Sequence, residues 1–217
     1  MQRILFLLFI TITTGLAQEK PISQIPIKPT PVEFLFGNNR IQGQTIIIKN
    51  FAKSKFGIFS LSTLAGDYKN ADKSNNEVFS NVQFHYDFYK GLKITSGATF
   101  SSVKGFAPIA GLEYVYTNPK LTLVINPTVN LTKESSFANY AHIEYAPKND
   151  KLNFYGRLQG LFVQNLLDNT HERSSAVLRI GITYKGFATG LGFNQDYYGP
   201  AKVEKPNFGI FLHYKFI

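Results

Sequence analysis

The chain contains no cysteine. That excludes disulfide staples, thiolate nucleophiles and cysteine-based zinc sites. Long hydrophobic runs are also missing. Beyond residue 17 no segment reaches the roughly 18 consecutive apolar residues that a membrane-spanning helix requires. Lysine and arginine exceed aspartate and glutamate by nine, yet no basic stripe exists. The lysines scatter over turns and loops, which argues against a nucleic-acid surface and is compatible only with weak attraction to anionic headgroups.

What is present is strict alternation. In the C-terminal stretch Phe208, Ile210, Leu212, Tyr214 and Phe216 take alternate positions, with Gly209, Phe211, His213, Lys215 and Ile217 between them. Side chains of a strand alternate between faces, so one face here is apolar and aromatic while the other holds the charges. The same pattern recurs upstream. Val82, Phe84, Tyr86 and Phe88 oppose Asn81, Gln83, His85 and Asp87; Leu121, Leu123, Ile125 and Val129 oppose Thr122, Asn126, Thr128 and Asn130. Alternation over segments of about ten residues reads as an all-β, antiparallel, up-and-down transmembrane β-barrel.

Residues 1–17 read as a signal peptide cleaved after Ala17. Arg3 supplies the positive start, Ile4 to Ile12 the apolar core, and Gly15-Leu16-Ala17 the small-residue site. Its removal takes away only Arg3 and leaves a formal charge of +8. Residues 18–42 read as a Pro-rich N-terminal extension, with Pro21, Pro26, Pro29 and Pro31 opposing helix and interior strand. Residues 43–217 form the barrel.

Ten strands are expected from Lys55 onward, or twelve if Val32–Gly37 and Thr45–Phe51 add a hairpin. Lys90-Gly91, Asn118-Pro119, Pro147–Asp150 and Lys185-Gly186 are tight turns on one side. The connections between them are longer on average, as outside loops of outer-membrane barrels are, which places the C-terminus in the periplasm. Pro127, in mid-strand, removes a ladder hydrogen bond and suggests a local bulge.

The polar face carries Asp87, Lys93, Glu113, Glu144, Arg157, Arg179, Asp196 and Lys215, four cations against four anions. This set is expected to form a lumen network, since buried charges need partners. It also carries glycines, among them Gly97, Gly181 and Gly209. On the apolar face Tyr86, Tyr116, Tyr145, Tyr184 and Tyr214 lie toward one end, and Phe106, Phe137 and Phe208 toward the other. These make two interfacial girdles. From Phe106 to Tyr116 a tilted strand rises roughly 23 Å, near the band of about 25 Å that such barrels expose to lipid.

The signal peptide, the even antiparallel strands and the terminal Tyr214-Lys215-Phe216-Ile217 resemble small outer-membrane β-barrel proteins of Gram-negative bacteria. The resemblance implies residence in the bacterial outer membrane, contact with outer-membrane lipid, and handling by the barrel-assembly machinery, which reads a C-terminal aromatic. Here Phe216 is penultimate, a departure from that pattern. The resemblance is architectural and carries over no catalytic residue. A soluble lipocalin-like barrel would use the same alternation with its apolar face inward.

Chemistry-bearing residues are few. His85, His142 and His213 lie on the polar face, the first two near Asp87 and Glu144; each reads mainly as a hydrogen-bonded lumen histidine, with general-base chemistry as the alternative. His171 and Ser174, beside Glu172 in an outside loop, are weak candidates for acyl transfer. No metal site and no cofactor are expected, and no nucleic-acid or external ligand is identified. The sequence thus points to an outer-membrane barrel with a structural, surface-interaction or narrow-pore role. The alternatives are a barrel enzyme, lipid A deacylase-like or protease-like, and a soluble secreted barrel that binds an apolar ligand.

Overall fold

A computed structural model describes residues 29–69, 76–147 and 151–216. The expected signal peptide and residues 18–28 of the extension lie outside the described residues. Twelve strands follow one another: β1 (Thr30–Gly37), β2 (Arg40–Asn50), β3 (Phe56–Asp67), β4 (Glu77–Tyr89), β5 (Leu92–Ser101) and β6 (Gly105–Thr117), then β7 (Leu121–Asn130), β8 (Ser136–Tyr145), β9 (Asn153–Asn165), β10 (His171–Tyr184), β11 (Phe187–Tyr198) and β12 (Val203–Phe216). Each pairs antiparallel with the next, and β1 pairs with β12 from Thr30↔Phe216 to Gly37↔Gly209, closing the barrel.

The count is therefore twelve, the alternative expectation, and not ten. The added hairpin also moves the start of the barrel. Thr30, not residue 43, is its first strand residue, so Pro31 and Glu33 belong to the wall and not to the extension.

Both described ends and the connections 51–55, 90–91, 118–120 and 185–186, with residues 146–147 and 151–152, lie at one end of the barrel, here the terminal end. The described residues of the other six connections form the loop end. Two terminal-end hairpins are type I′: Lys90 and Gly91 have φ of 46° and 92°, and Lys185 and Gly186 have φ of 46° and 84°. Their backbone twist matches that of the strands they join.

The faces fall as alternation requires. Phe106 is 69% exposed and Ile210 57% on the outer surface, while Arg157 and Arg179 are 3% and 2% exposed inside. All eight expected girdle aromatics point outward; Tyr86, Tyr116, Tyr145, Tyr184 and Tyr214 ring the terminal end. The soluble alternative needs its apolar face inside, and this arrangement overturns it.

A Cβ on Gly209 would lie 1.9 Å from the carbonyl oxygen of Phe36 on the neighbouring β1, so no side chain fits there. The bulge expected at Pro127 is absent, because β6 and β7 keep one register on both sides of it. The ladder is instead interrupted over Leu112 and Glu113, opposite Pro127 and Asn126.

Candidate functional site

The inward side chains do not leave an open bore. Gln44 on β2 and Gln159 on β9 join amide to amide at 2.9 Å, although five steps separate their strands around the ring. Phe59 on β3 packs on Tyr140 of β8 with ring centroids 6.0 Å apart, also five steps away. Gln83 on β4 donates to Asn126 on β7 at 2.8 Å. Ile46, Leu61 and Val124 complete the apolar cluster around Phe59 and Tyr140. A second cluster joins Leu35, Tyr155, Ala188 and Phe211 on the opposite side of the lumen. Opposite walls thus meet through apolar and amide contacts at mid-height.

Charge is neutralised along the lumen, above, within and below this layer. Glu33 accepts from Arg157 at 2.6 Å and from Arg179 at 2.9 Å, and all three are almost fully buried. Arg179 also donates to Asn194 at 2.7 Å. Lys93 meets Glu113 at 3.4 Å, and Lys215 donates to Glu144 at 2.6 Å. Tyr155 donates to the same Glu144 at 3.0 Å. Asp196 pairs with Arg40 and, at 3.2 Å, with Arg173. Ionised groups in a low-dielectric layer are tolerated only with such partners.

Seven of the eight expected network residues therefore sit in lumen ion pairs. Asp87 differs. It opposes Lys93 across β4 and β5, and both its carboxylate oxygens accept from the Gly91 N–H at 3.2 Å, so it caps the β4–β5 turn. Five charged residues joined to the network among the described residues were not foreseen: Glu33, Arg40, Glu77, Arg173 and Lys205. Glu33 was hidden in the Pro-rich segment. The others occupy strand ends, where alternation is weakest as a signal.

The lumen histidines are embedded in this network. The His85 ring lies between Glu113, 3.0 Å from Nδ1, and Asn50, 3.1 Å from Nε2; the expected neighbour Asp87 is not its partner. His142 stacks on Tyr140 at 6.3 Å, and His213 faces Glu33 at 3.7 Å and the Tyr155 ring at 5.5 Å. No serine hydroxyl bonds any of the three among the described residues.

His171 and Ser174 behave differently. The His171 ring lies 6.2 Å from that of Phe162, an outward residue, near the loop end. Ser174 Oγ and His171 Nε2 are 2.8 Å apart, and His171 Nδ1 is 2.7 Å from the carbonyl oxygen of Gly199. A carbonyl only accepts, so Nδ1 carries the proton and donates to it. Nε2 of the neutral ring is then free to accept from the serine hydroxyl. Glu172, the third member of the sequence cluster, turns inward at a register shift between His171 and Arg173 and binds Ser136 and Lys104 instead.

Two cavities flank the packed layer. The loop-end cavity measures about 210 Å³ and is lined by Leu61, Phe79, Ile109, Tyr140, Leu161 and Val163, with Glu77, Lys104, Glu172 and Arg173 at its mouth. The terminal-end cavity, about 140 Å³, is lined by Pro31, Glu33, His142, Glu144, Arg157 and Lys215 among others.

No protein-family model and no curated protein sequence matches this chain. Solved structures do. The NanC porin aligns over 87% of this chain and 99% of its own, at 10% identity and a TM-score of 0.50. The KdgM porin covers the same shares at 12% identity and 0.47, and LpxR from Salmonella typhimurium at 7% identity and 0.42. At 10% identity the NanC likeness concerns the fold alone: this chain shares the β-barrel fold of that porin.

Proposed function

We propose that this protein is a bacterial outer-membrane β-barrel whose lumen is sealed by its own side chains and whose loop end serves surface interaction in place of bulk diffusion. A closed barrel with an apolar outer surface suits lipid hydrocarbon, where a Lys or Arg would cost about 2–4 kcal/mol at the midplane. The longer loop-end connections support placing that end outside the cell and both termini in the periplasm. Export by the N-terminal signal, cleaved after Ala17, belongs to the same reading. So does recognition of outward Phe216 by the barrel-assembly machinery.

The observation that carries the sealed-lumen reading is the Gln44–Gln159 bridge at 2.9 Å between nearly opposite walls. Small barrels fill their interior with side chains, and only larger ones keep an aqueous channel. The test is conductance in planar bilayers. The purified barrel is expected to give no steady single-channel current, and a stable ohmic conductance refutes the sealed lumen.

A second reading has one specific observation behind it. The Gly199 carbonyl fixes the His171 tautomer so that Nε2 accepts the Ser174 proton. That is the geometry of a base-activated nucleophile, here on the outer wall, where an acyl ester of a lipid would lie. A fluorophosphonate probe tests it. Stoichiometric labelling of Ser174, lost in His171→Ala, supports acyl-transfer chemistry; an unlabelled Ser174 removes it.

A further inference from the structure

We infer that the loop-end cavity is a blind cup for one small, uncharged amphiphile, with an alkyl body of about eight heavy atoms or fewer and a hydroxyl-type head. Its closed floor rests on the sealed lumen proposed above; its apolar lining does not.

The cup has a floor. The Phe59–Tyr140 contact and the Gln83–Asn126 hydrogen bond lie beneath it, so a molecule entering from the loop end has no path onward. Leu61, Phe79, Ile109, Leu161 and Val163 stand at inward positions and give most of the lining its apolar character, with Asn81, Thr99, Asn126 and Thr128 set among them. Apolar surface turned toward a cavity gains free energy when an apolar body covers it, at roughly 25 cal/mol per Å². An engineered cavity of about 150 Å³ takes benzene with its six heavy atoms, so one of about 210 Å³ suits a body of about eight.

The mouth sets the head. Arg173 is held by Glu77 at 3.4 Å and Asp196 at 3.2 Å, and Lys104 by Glu172 at 2.6 Å. A charged head would have to displace one of these partners. A hydroxyl can share them, since it both donates and accepts.

The chain has no tryptophan, which allows a single reporter. Val103 lies on the rim of the cup and is 80% exposed. Val103→Trp would be placed in lipid nanodiscs and titrated with 8-bromooctan-1-ol, whose bromine quenches indole on contact. Leu191→Trp, on the outer wall, reports partition of the probe into lipid. Ala107→Phe and Ala138→Phe, each added to Val103→Trp, fill the cup from two different strands. The expected result is saturable quenching at Val103→Trp, weakened at least tenfold by either filling variant, against unsaturated quenching at Leu191→Trp. Unsaturated quenching at Val103→Trp overturns the inference, and so does saturable quenching that both fillers leave unchanged. Should one filler fail to fold, judged by heat-modifiable gel mobility, the other decides.

Discussion

The side-chain amide of Asn126 donates to the backbone carbonyl of Leu112 at 2.8 Å, in the place of a hydrogen bond that Pro127 cannot make. The β6–β7 register sets Leu112 opposite Pro127, at the spacing where backbone bonds cross the pair, as two rungs away the Leu131 N–H donates to the Pro108 carbonyl at 2.9 Å. Proline has no N–H, so without Asn126 this carbonyl would lack a donor. Asn126→Ala is expected to cost about 1–3 kcal/mol in urea unfolding. In a Pro127→Val background, where the ladder bond can return, the same substitution should cost clearly less. Equal costs in the two backgrounds would show that the amide does not substitute for the missing bond.

Lys185 and Lys90 hold left-handed φ of 46° in type I′ turns, a region disfavoured for lysine and natural for asparagine or glycine. Lys185→Asn, made at the terminal end, is expected to stabilise the barrel by up to about 1 kcal/mol. The check is a rise in the temperature at which gel mobility shifts to that of the unfolded chain. A fall would mean that the Lys185 ammonium, 5.3 Å from the Tyr184 ring, contributes more than the backbone relief.

The faces and the strand order were legible because a period of two needs only neighbouring residues. Leu123 and Ile125 beside Asn126 already state which way β7 turns. The first hairpin was harder to read. Ile46, Ile47 and Ile48 put apolar residues on both faces of β2, and prolines crowd the approach to β1. Least legible were the partners across the lumen. Alternation says that Arg157 points inward; it does not say that Glu33, 124 residues earlier, stands opposite. Likewise the His171–Ser174 pairing depends on the register shift that turns Glu172 inward, which residue identities do not announce.

Gly209 is a place where a side chain cannot be accommodated. Its Cβ would sit 1.9 Å from the Phe36 oxygen, at the β1–β12 seam that closes the barrel. Gly209→Ala must push β1 and β12 apart, and overpacking of this kind costs about 1–3 kcal/mol or more. A lower yield of the heat-modifiable folded form is expected. By contrast Gly199→Ala, in an open loop with φ of 66° and nothing within 4 Å of its Cβ, should cost only the backbone strain. Equal losses at the two positions would count against the steric account of the seam.

Glu33 is the residue whose removal should be felt most. It is the shared acceptor of Arg157 and Arg179, all three nearly inaccessible, and it ties the first strand to strands three and four steps away around the ring. Glu33→Ala leaves two guanidinium groups in the lumen without their common carboxylate. Breaking a buried pair in this way typically costs about 3–5 kcal/mol. Glu33→Gln keeps an acceptor oxygen but not the charge, so it should recover part of the loss. Arg157→Met in the Glu33→Ala background should recover more, because it removes one of the stranded charges. The readout is urea unfolding in detergent, followed by gel mobility and tyrosine fluorescence. A Glu33→Ala barrel as stable as the parent would mean that water, and not the carboxylate, solvates both arginines, and the lumen would then be wetter than its packed layer implies.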